Sequence, residues 1–231
     1  MPNSSLTFRI IAPAHAYVAA TNSRYAGVTA PAVNSPANYH HLLKRLLDVS
    51  VSLLLLALTL PIWLITAIAI KWESPGAVFF QQRRTGLFNQ EFNILKFRSM
   101  CEDAEKDGAR WASKNDSRIT RVGKFIRKTR IDELPQLLNV LKGEMSMVGP
   151  RPEREVFIRD LEKHIPFYRV RHTVKPGVTG LAQVSYTYGA SLEDAKHKHR
   201  YDMAYIRHQS VWMDLRILWN TVRVVLTGQG V

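Results

Sequence analysis

Residues 127–152 read RKTRIDELPQLLNVLKGEMSMVGPRP, and they set two neighbouring acids, Asp132 and Glu133, directly after the cations Arg127, Lys128 and Arg130. A further arginine, Arg151, stands between Pro150 and Pro152. Proline is tolerated in a first helical turn, so Pro135 and Gly143 predict a helix beginning near Asp132 and ending by Gly143. Both acids then lie at the positive end of the helix dipole beside basic side chains, and both are expected to be ionised at neutral pH. An ordinary acidic, capped helix start is the plain alternative. Against it stands the arginine between prolines, whose restricted backbone presents a binding group at little ordering cost. Ionised carboxylates with rigid arginines suit phosphoryl chemistry with a divalent metal, and oxygen ligands of this kind favour Mg²⁺.

The rest of the chain narrows that chemistry. There is no GxxxxGK[ST] phosphate loop, no GxGxxG, no HExxH and no CxxC. The 231 residues carry 32 Lys and Arg against 19 Asp and Glu, a net charge of +13 that implies an anionic partner: nucleic acid, anionic lipid or a phosphorylated substrate. No nucleic-acid-binding module is recognisable. The single cysteine, Cys101, excludes an internal disulfide and reads as a small packed side chain. His197 and His199 in HKHRYD read as solvated, since a basic neighbourhood opposes a bound cation.

Several elements must hold the acids in place. Residues 1–39 lack the apolar core of a secretory signal and read as a mobile tail. From Val49 to Ile70 run 22 residues without a charge. As a helix at about 1.5 Å per residue they reach about 33 Å, enough to cross a hydrocarbon core, with a buried core helix as the alternative. Pro61 cannot donate to the Ala57 carbonyl, so a kink is expected, with Thr59 or Ser52 available to satisfy a freed carbonyl. Basic residues flank both ends (Lys44 and Arg45 before, Lys71, Arg83 and Arg84 after), and basic flanks favour the cytoplasmic side. A helix broken at Pro61 that enters one leaflet and returns satisfies both flanks; a kinked span leaves one outside.

Beyond the ESPG turn, alternating apolar residues on either side of a Gly and Asn turn predict a short hairpin, with Lys96 and Arg98 on one face of its second strand. In SRITRVGKFIRKTR, Ile119, Val122, Phe125 and Ile126 recur at helical spacing among cations; near the C-terminus Val211, Leu215, Leu218, Trp219 and Val222 form a second stripe. Each stripe fits either a core helix or one lying on an anionic bilayer. The glycine-bearing turn KPGVTG beside Lys175 either approaches a phosphate with its backbone or is only a turn.

Taken together, KRLLDV, the apolar run with its proline, ESPGAVFFQQRRTG, KFRSM, RIDELPQLLNVLKGEMSMVGPRP and KPGVTGLAQV resemble the bacterial sugar transferases, the monotopic polyprenol-phosphate phosphoglycosyl transferases, over residues 40–231. The resemblance implies an α+β, helix-dominated fold. Residues 40–72 would form a re-entrant membrane helix, and residues 73–231 a cytoplasmic catalytic domain with a small β-hairpin and amphipathic interfacial helices around the catalytic helix. It implies transfer of a sugar 1-phosphate from a nucleoside diphosphate sugar, expected to be a UDP-hexose, to polyprenol phosphate at the cytoplasmic face of the bacterial inner membrane. Asp132 would be the nucleophile that carries the phosphosugar and Glu133 its support, both toward Mg²⁺; Arg127 and Arg151 would bind phosphate, with Lys96, Arg98, Lys175 and Asp202 as further candidates. Membrane lipids are implied as partners, nucleic acid is not, and a homodimer is compatible. The alternatives are direct transfer with Asp132 only a metal ligand, or a non-enzymatic basic protein on the membrane surface. Two positions depart from the family's habit: Leu60, where Ser often precedes the proline, and Leu181, where Trp is frequent.

Overall fold

The structure, a computed structural model, describes residues 37–104, 106, 108, 116–186 and 191–227, so the expected tail lies outside the described residues up to residue 36. Helix α1 runs from Ala37 to Glu73 with Pro61 inside it. It runs as one continuous helix past the proline, and among the described residues it alone is long and apolar enough to cross a membrane. Neither predicted hydroxyl reaches the Ala57 carbonyl: Thr59 donates to Leu55 O at 2.6 Å, and Ser52 donates to the Met147 thioether.

Most of α1 is bare, with Leu53, Leu54, Leu58, Leu60, Leu64, Ile65 and Ile68 exposed. A narrow stripe on its other side packs on the rest of the chain at both ends. Near its start Lys44 donates to Asp214 (2.7 Å), Tyr205 Oη and Val148 O, while Asp48 accepts from Ser146 Oγ and the Met147 amide. Near its end Trp63 meets Phe97 edge-on at 5.3 Å, and Ile70 joins Phe97 and Ile126 in a small core.

The hairpin is formed by β1 (Phe79–Thr85) and β2 (Glu91–Phe97), paired antiparallel from Phe79 with Phe97 to Thr85 with Glu91. Its turn holds Phe88 and Asn89 at positive φ. Helix α2 (Arg121–Lys128) is capped twice at its start. Thr120 Oγ1 accepts from the Gly123 amide, and the carboxylate of Glu73, the last residue of α1, accepts from the Arg121 and Val122 amides. The α2 stripe divides: Val122 and Ile126 turn to the core and Phe125 is exposed.

A 3₁₀ turn (Ile131–Glu133) then leads into α3 (Gln136–Lys142), which Gly143 ends at φ 85°, a left-handed conformation suited to glycine. Two three-residue strands, β3 (Ser146–Val148) and β4 (Gly177–Thr179), pair in parallel. Gly149 follows β3 where a Cβ would come within 2.3 Å of Lys175 O, so the chain passes there only without a side chain. Helices α4 (Glu155–Leu161), α5 (Leu181–Ser185), α6 (Leu192–His208) and α7 (Val211–Thr227) complete the fold. The largest core cluster gathers Ile94, Leu137, Val140, Met145, Met147, Val148, Tyr205 and Ile217, so hairpin, α3, β3, α6 and α7 share one interior. The expected α+β, helix-dominated class with a small hairpin is what is observed; the parallel pair β3–β4 was not expected.

Candidate active site

Glu133 is buried, and three cations from three segments converge on it. Arg151 meets it with both terminal nitrogens, Nη2 to Oε1 at 2.6 Å and Nη1 to Oε2 at 3.4 Å. Lys96 of β2 lies 3.4 Å from the same Oε1, and Arg130 lies 3.8 Å from it. Arg130 has φ 60°, a conformation costly for a residue with a Cβ; it reverses the chain between α2 and the 3₁₀ turn that carries the acids. The acids therefore sit in the 3₁₀ turn ahead of α3, not within a single helix starting at Asp132.

Asp132 is equally buried, but its carboxylate has no hydrogen-bond partner among the described residues. The two acids, expected to behave alike, are electrostatically split. Burial pushes the Asp132 pKa up, Lys96 opposes this and Glu133 adds to it, with Arg127 and Arg151 acting downward; the result is a carboxyl above its ordinary range. Burial acts upward on Glu133 as well, but Arg151 and Lys96 outweigh it and hold the group far below the usual carboxylate range. Burial lowers the Lys96 pKa, against the pull of Glu133. A more basic, unpartnered carboxylate beside Lys96, Arg127 and Arg151 is equipped to attack an electrophile whose anionic groups those cations would neutralise. Its partner, fully engaged, fixes the cations.

The Arg151 loop is gripped through its carbonyls, since Pro150 and Pro152 offer no N–H. Arg171 Nη2 donates to Arg151 O at 2.9 Å, and Arg84 Nη1 donates to Pro152 O at 3.2 Å. The Thr85 amide donates to Glu153 O at 2.9 Å. Arg171, buried in the 3₁₀ segment Tyr168–Thr173, is held by Asp202 of α6 (2.8 Å) and donates to Tyr168 Oη (2.8 Å). Sequence reasoning missed Arg171 altogether and treated Arg84 only as a basic flank. A single buried arginine in a short 3₁₀ segment has no signature in the sequence.

Of the eight predicted site residues, Asp132, Glu133, Arg127, Lys96 and Arg151 come together. Three do not. The Arg98 guanidinium serves the ESPG turn, donating to Pro75 O and Ser74 O, so it and Lys96 part company where β2 ends. Asp202 is buried against Arg171 and acts on the site only through the Arg151 loop. Lys175 sits by Gly143, at the end of α3 away from the acids. Other expectations are also corrected. Cys101 is exposed, and His199 is buried against Tyr168 with its pKa lowered by burial to about 4. His197 stacks on Tyr186.

Residues 39–228 match the sequence profile of the bacterial sugar transferases. The chain belongs to this family. Among its relatives is the UDP-N-acetylgalactosamine-undecaprenyl-phosphate N-acetylgalactosaminephosphotransferase of Aeromonas hydrophila, 48% identical over 195 residues, covering 84% of this chain and 46% of that protein. A UDP-glucose:undecaprenyl-phosphate glucose-1-phosphate transferase of Klebsiella pneumoniae is 45% identical over 195 residues, covering 83% and 42%. The exopolysaccharide production protein PSS of Rhizobium leguminosarum bv. phaseoli is 43% identical over 196 residues, covering 81% of this chain and 98% of that protein. The chain spans less than half the length of the first two relatives. Family membership covers every element that builds the site, from Lys96 to Asp202.

Proposed function

We propose that this protein transfers a sugar 1-phosphate from a nucleoside diphosphate sugar to a polyprenol phosphate at a membrane surface, in two displacements through Asp132. The supporting observation is the unequal treatment of the two acids: Glu133 is locked among Arg151, Lys96 and Arg130, while Asp132 is buried, basic and unpartnered beside the same cations. In the first displacement an Asp132 oxygen attacks the β-phosphorus and the bond to the α-phosphate oxygen breaks. Nucleoside monophosphate leaves, and the phosphosugar is held as an acyl phosphate. In the second, a polyprenol phosphate oxygen attacks that phosphorus, the aspartyl oxygen leaves, and polyprenol diphosphosugar forms. Each displacement brings one anionic substrate to the site at a time, so less charge must be neutralised at once. Lys96, Arg127 and Arg151 are placed to bind phosphoryl oxygens.

The donor set fits Mg²⁺ in one respect. Mg²⁺ is commonly held by one or two carboxylates with substrate phosphates, and Asp132 has free acceptor capacity, whereas Glu133 is already engaged by three cations. When bound, the ion would neutralise charge on the diphosphate. Asp132 is the residue that would hold it.

A re-entrant course for α1 is supported by its two ends, which pack on one domain: Lys44 and Asp48 on β3, α6 and α7, and Ile70 and Glu73 on β2 and α2. One domain lies on one side of a bilayer. On α7 the outward residues Trp212, Leu215, Trp219, Val222 and Val225 are apolar, with Trp212 and Trp219 more than 70% exposed, which suits a helix lying in the interface. The sugar is proposed as a UDP-hexose or its N-acetylated form, from the relatives' names.

The test is to mix purified protein with Mg²⁺ and UDP-sugar labelled in the β-phosphate, without acceptor, and measure label on the protein. Wild type is expected to take up label and release it on addition of polyprenol phosphate, and Asp132→Asn to take up none. Turnover by Asp132→Asn at an undiminished rate would refute the nucleophile.

A further inference from the structure

At the end of α3 opposite the acids, two cations from distant parts of the sequence, Arg45 and Lys175, both come close to Gly143. A methyl built on Gly143 would lie 3.6 Å from Lys175 Nζ and 3.9 Å from Arg45 Nη2; the two distances add to 7.5 Å, the most that can separate those nitrogens. Arg45 is oriented by the last carbonyls of α3: Nη1 donates to Val140 O at 2.6 Å and Nη2 to Leu141 O at 2.8 Å. A guanidinium has five N–H groups, so three are left without a described partner. Neither Arg45 nor Lys175 pairs with a carboxylate among the described residues. Asp48, the acid that acts on Lys175, already accepts from Ser146 and the Met147 amide, and Glu144, next to Gly143, accepts from Asn139. Lys142, exposed on the last turn of α3, adds a further positive charge nearby.

Like charges this close are unfavourable unless an anion joins them. Consistent with that, burial, then Arg45 and then Lys44 depress the Lys175 pKa, with Asp48 opposing. The position indicates the kind of anion. Arg45 lies on α1 just before the uncharged run, among exposed Leu42, Leu43 and Leu46. Cations at that level meet lipid phosphates. An arginine fork already oriented by carbonyls and a lysine point charge suit the oxygens of a phosphodiester.

We propose that Arg45 and Lys175 form a binding site for the phosphodiester of an anionic glycerophospholipid, separate from the reacting centre. The acceptor's phosphate must reach Asp132, at the other end of α3, and neither acid of that centre is among the charges that act on Lys175. A lipid seated here would brace the C-terminal end of α3 against the bilayer.

The experiment is native mass spectrometry of the full chain taken from nanodiscs of phosphatidylcholine with phosphatidylglycerol, with no sugar substrate present. It reads lipid retention, so its outcome is independent of the proposed chemistry. Wild type is expected to keep one phosphatidylglycerol per chain. Lys175→Gln should keep about fivefold less, the loss expected for one basic group at a membrane surface. Lys163→Gln removes the same formal charge from an exposed lysine paired with Asp160 and should match wild type. Melting temperatures of the three proteins confirm folding; should Lys175→Gln fail to fold, Lys175→Arg, which keeps the charge, is expected to retain lipid as wild type does. Equal retention in Lys175→Gln and Lys163→Gln would mean that net charge alone draws the lipid, and would overturn the site. Displacement of the adduct by excess inorganic phosphate would show a site for free phosphate and overturn the lipid assignment.

Discussion

Arg171→Lys tests the grip on the Arg151 loop. Lysine keeps a positive charge against Asp202, so the buried acid is not left alone, but a single ammonium cannot reach Asp202, Tyr168 Oη and Arg151 O together as the guanidinium does. The bond most readily lost is the one to Arg151 O. A hydrogen bond from a charged donor contributes about 1.5–3 kcal/mol, and about 1.4 kcal/mol corresponds to tenfold in rate. If that bond serves to place Arg151 on Glu133, kcat/KM should fall about 10- to 100-fold. The assay is nucleoside monophosphate release in the presence of polyprenol phosphate, with melting temperature measured in parallel. The decisive comparison repeats Arg171→Lys in an Arg151→Lys background, where there is no fork left to place. There the further loss should shrink to about twofold, because coupled residues are not additive. The same loss in both backgrounds would mean that Arg171 acts through stability alone, and the positioning argument would fail.

Asp214→Asn should lower stability by about 3–5 kcal/mol, since it leaves Lys44 partly buried without its counter-charge; thermal unfolding in detergent checks this, and Lys44→Met with Asp214→Leu should recover much of the loss. Glu73→Ala removes the carboxylate that caps α2 and should cost about 1 kcal/mol in the same assay, with release of nucleoside monophosphate retained. His199 is buried and its pKa falls from 6.5 to about 4, so below pH 6.5 the unfolded chain binds a proton that the folded one does not. The contribution of His199 should therefore be nil above pH 6.5 and a loss of up to roughly 3 kcal/mol as the pH drops toward 4. His199→Gln should remove its own share of that slope in melts recorded from pH 7 to 4.5, leaving the share of buried His172, whose pKa burial lowers to about 3.

What the sequence revealed follows from what local patterns encode. The uncharged run, the hairpin around Gly86 and Asn89, and the end of α3 at Gly143 depend on neighbours in the chain, and each was found where expected. The acids and GPRP were legible because unusual residue types were packed into a short stretch. Arg98, Asp202 and Lys175 were misplaced for one reason: a charged residue in sequence carries no mark of its partner. Asp202 meets a guanidinium 31 residues away, and Arg98 meets carbonyls 23 and 24 residues back. His199 was read as solvated from its basic neighbours, yet its helix turns it inward onto Tyr168. Strands β3 and β4 are three residues each, too short for any period to show. Asp132 and Glu133 are adjacent acids in sequence, and the convergence of Lys96 and Arg151 on Glu133 gives them different surroundings.

Among the described residues α1 is fastened to the same body near both of its ends, by the Lys44–Asp214 pair at one and by Glu73 at the other, so helix and body move together. Depth in the lipid and height of the Asp132–Glu133 turn become a single mechanical variable. Lengthening or shortening the apolar run would tilt or lift the whole catalytic body, and bilayer thickness would act on turnover as directly as a change in the site itself.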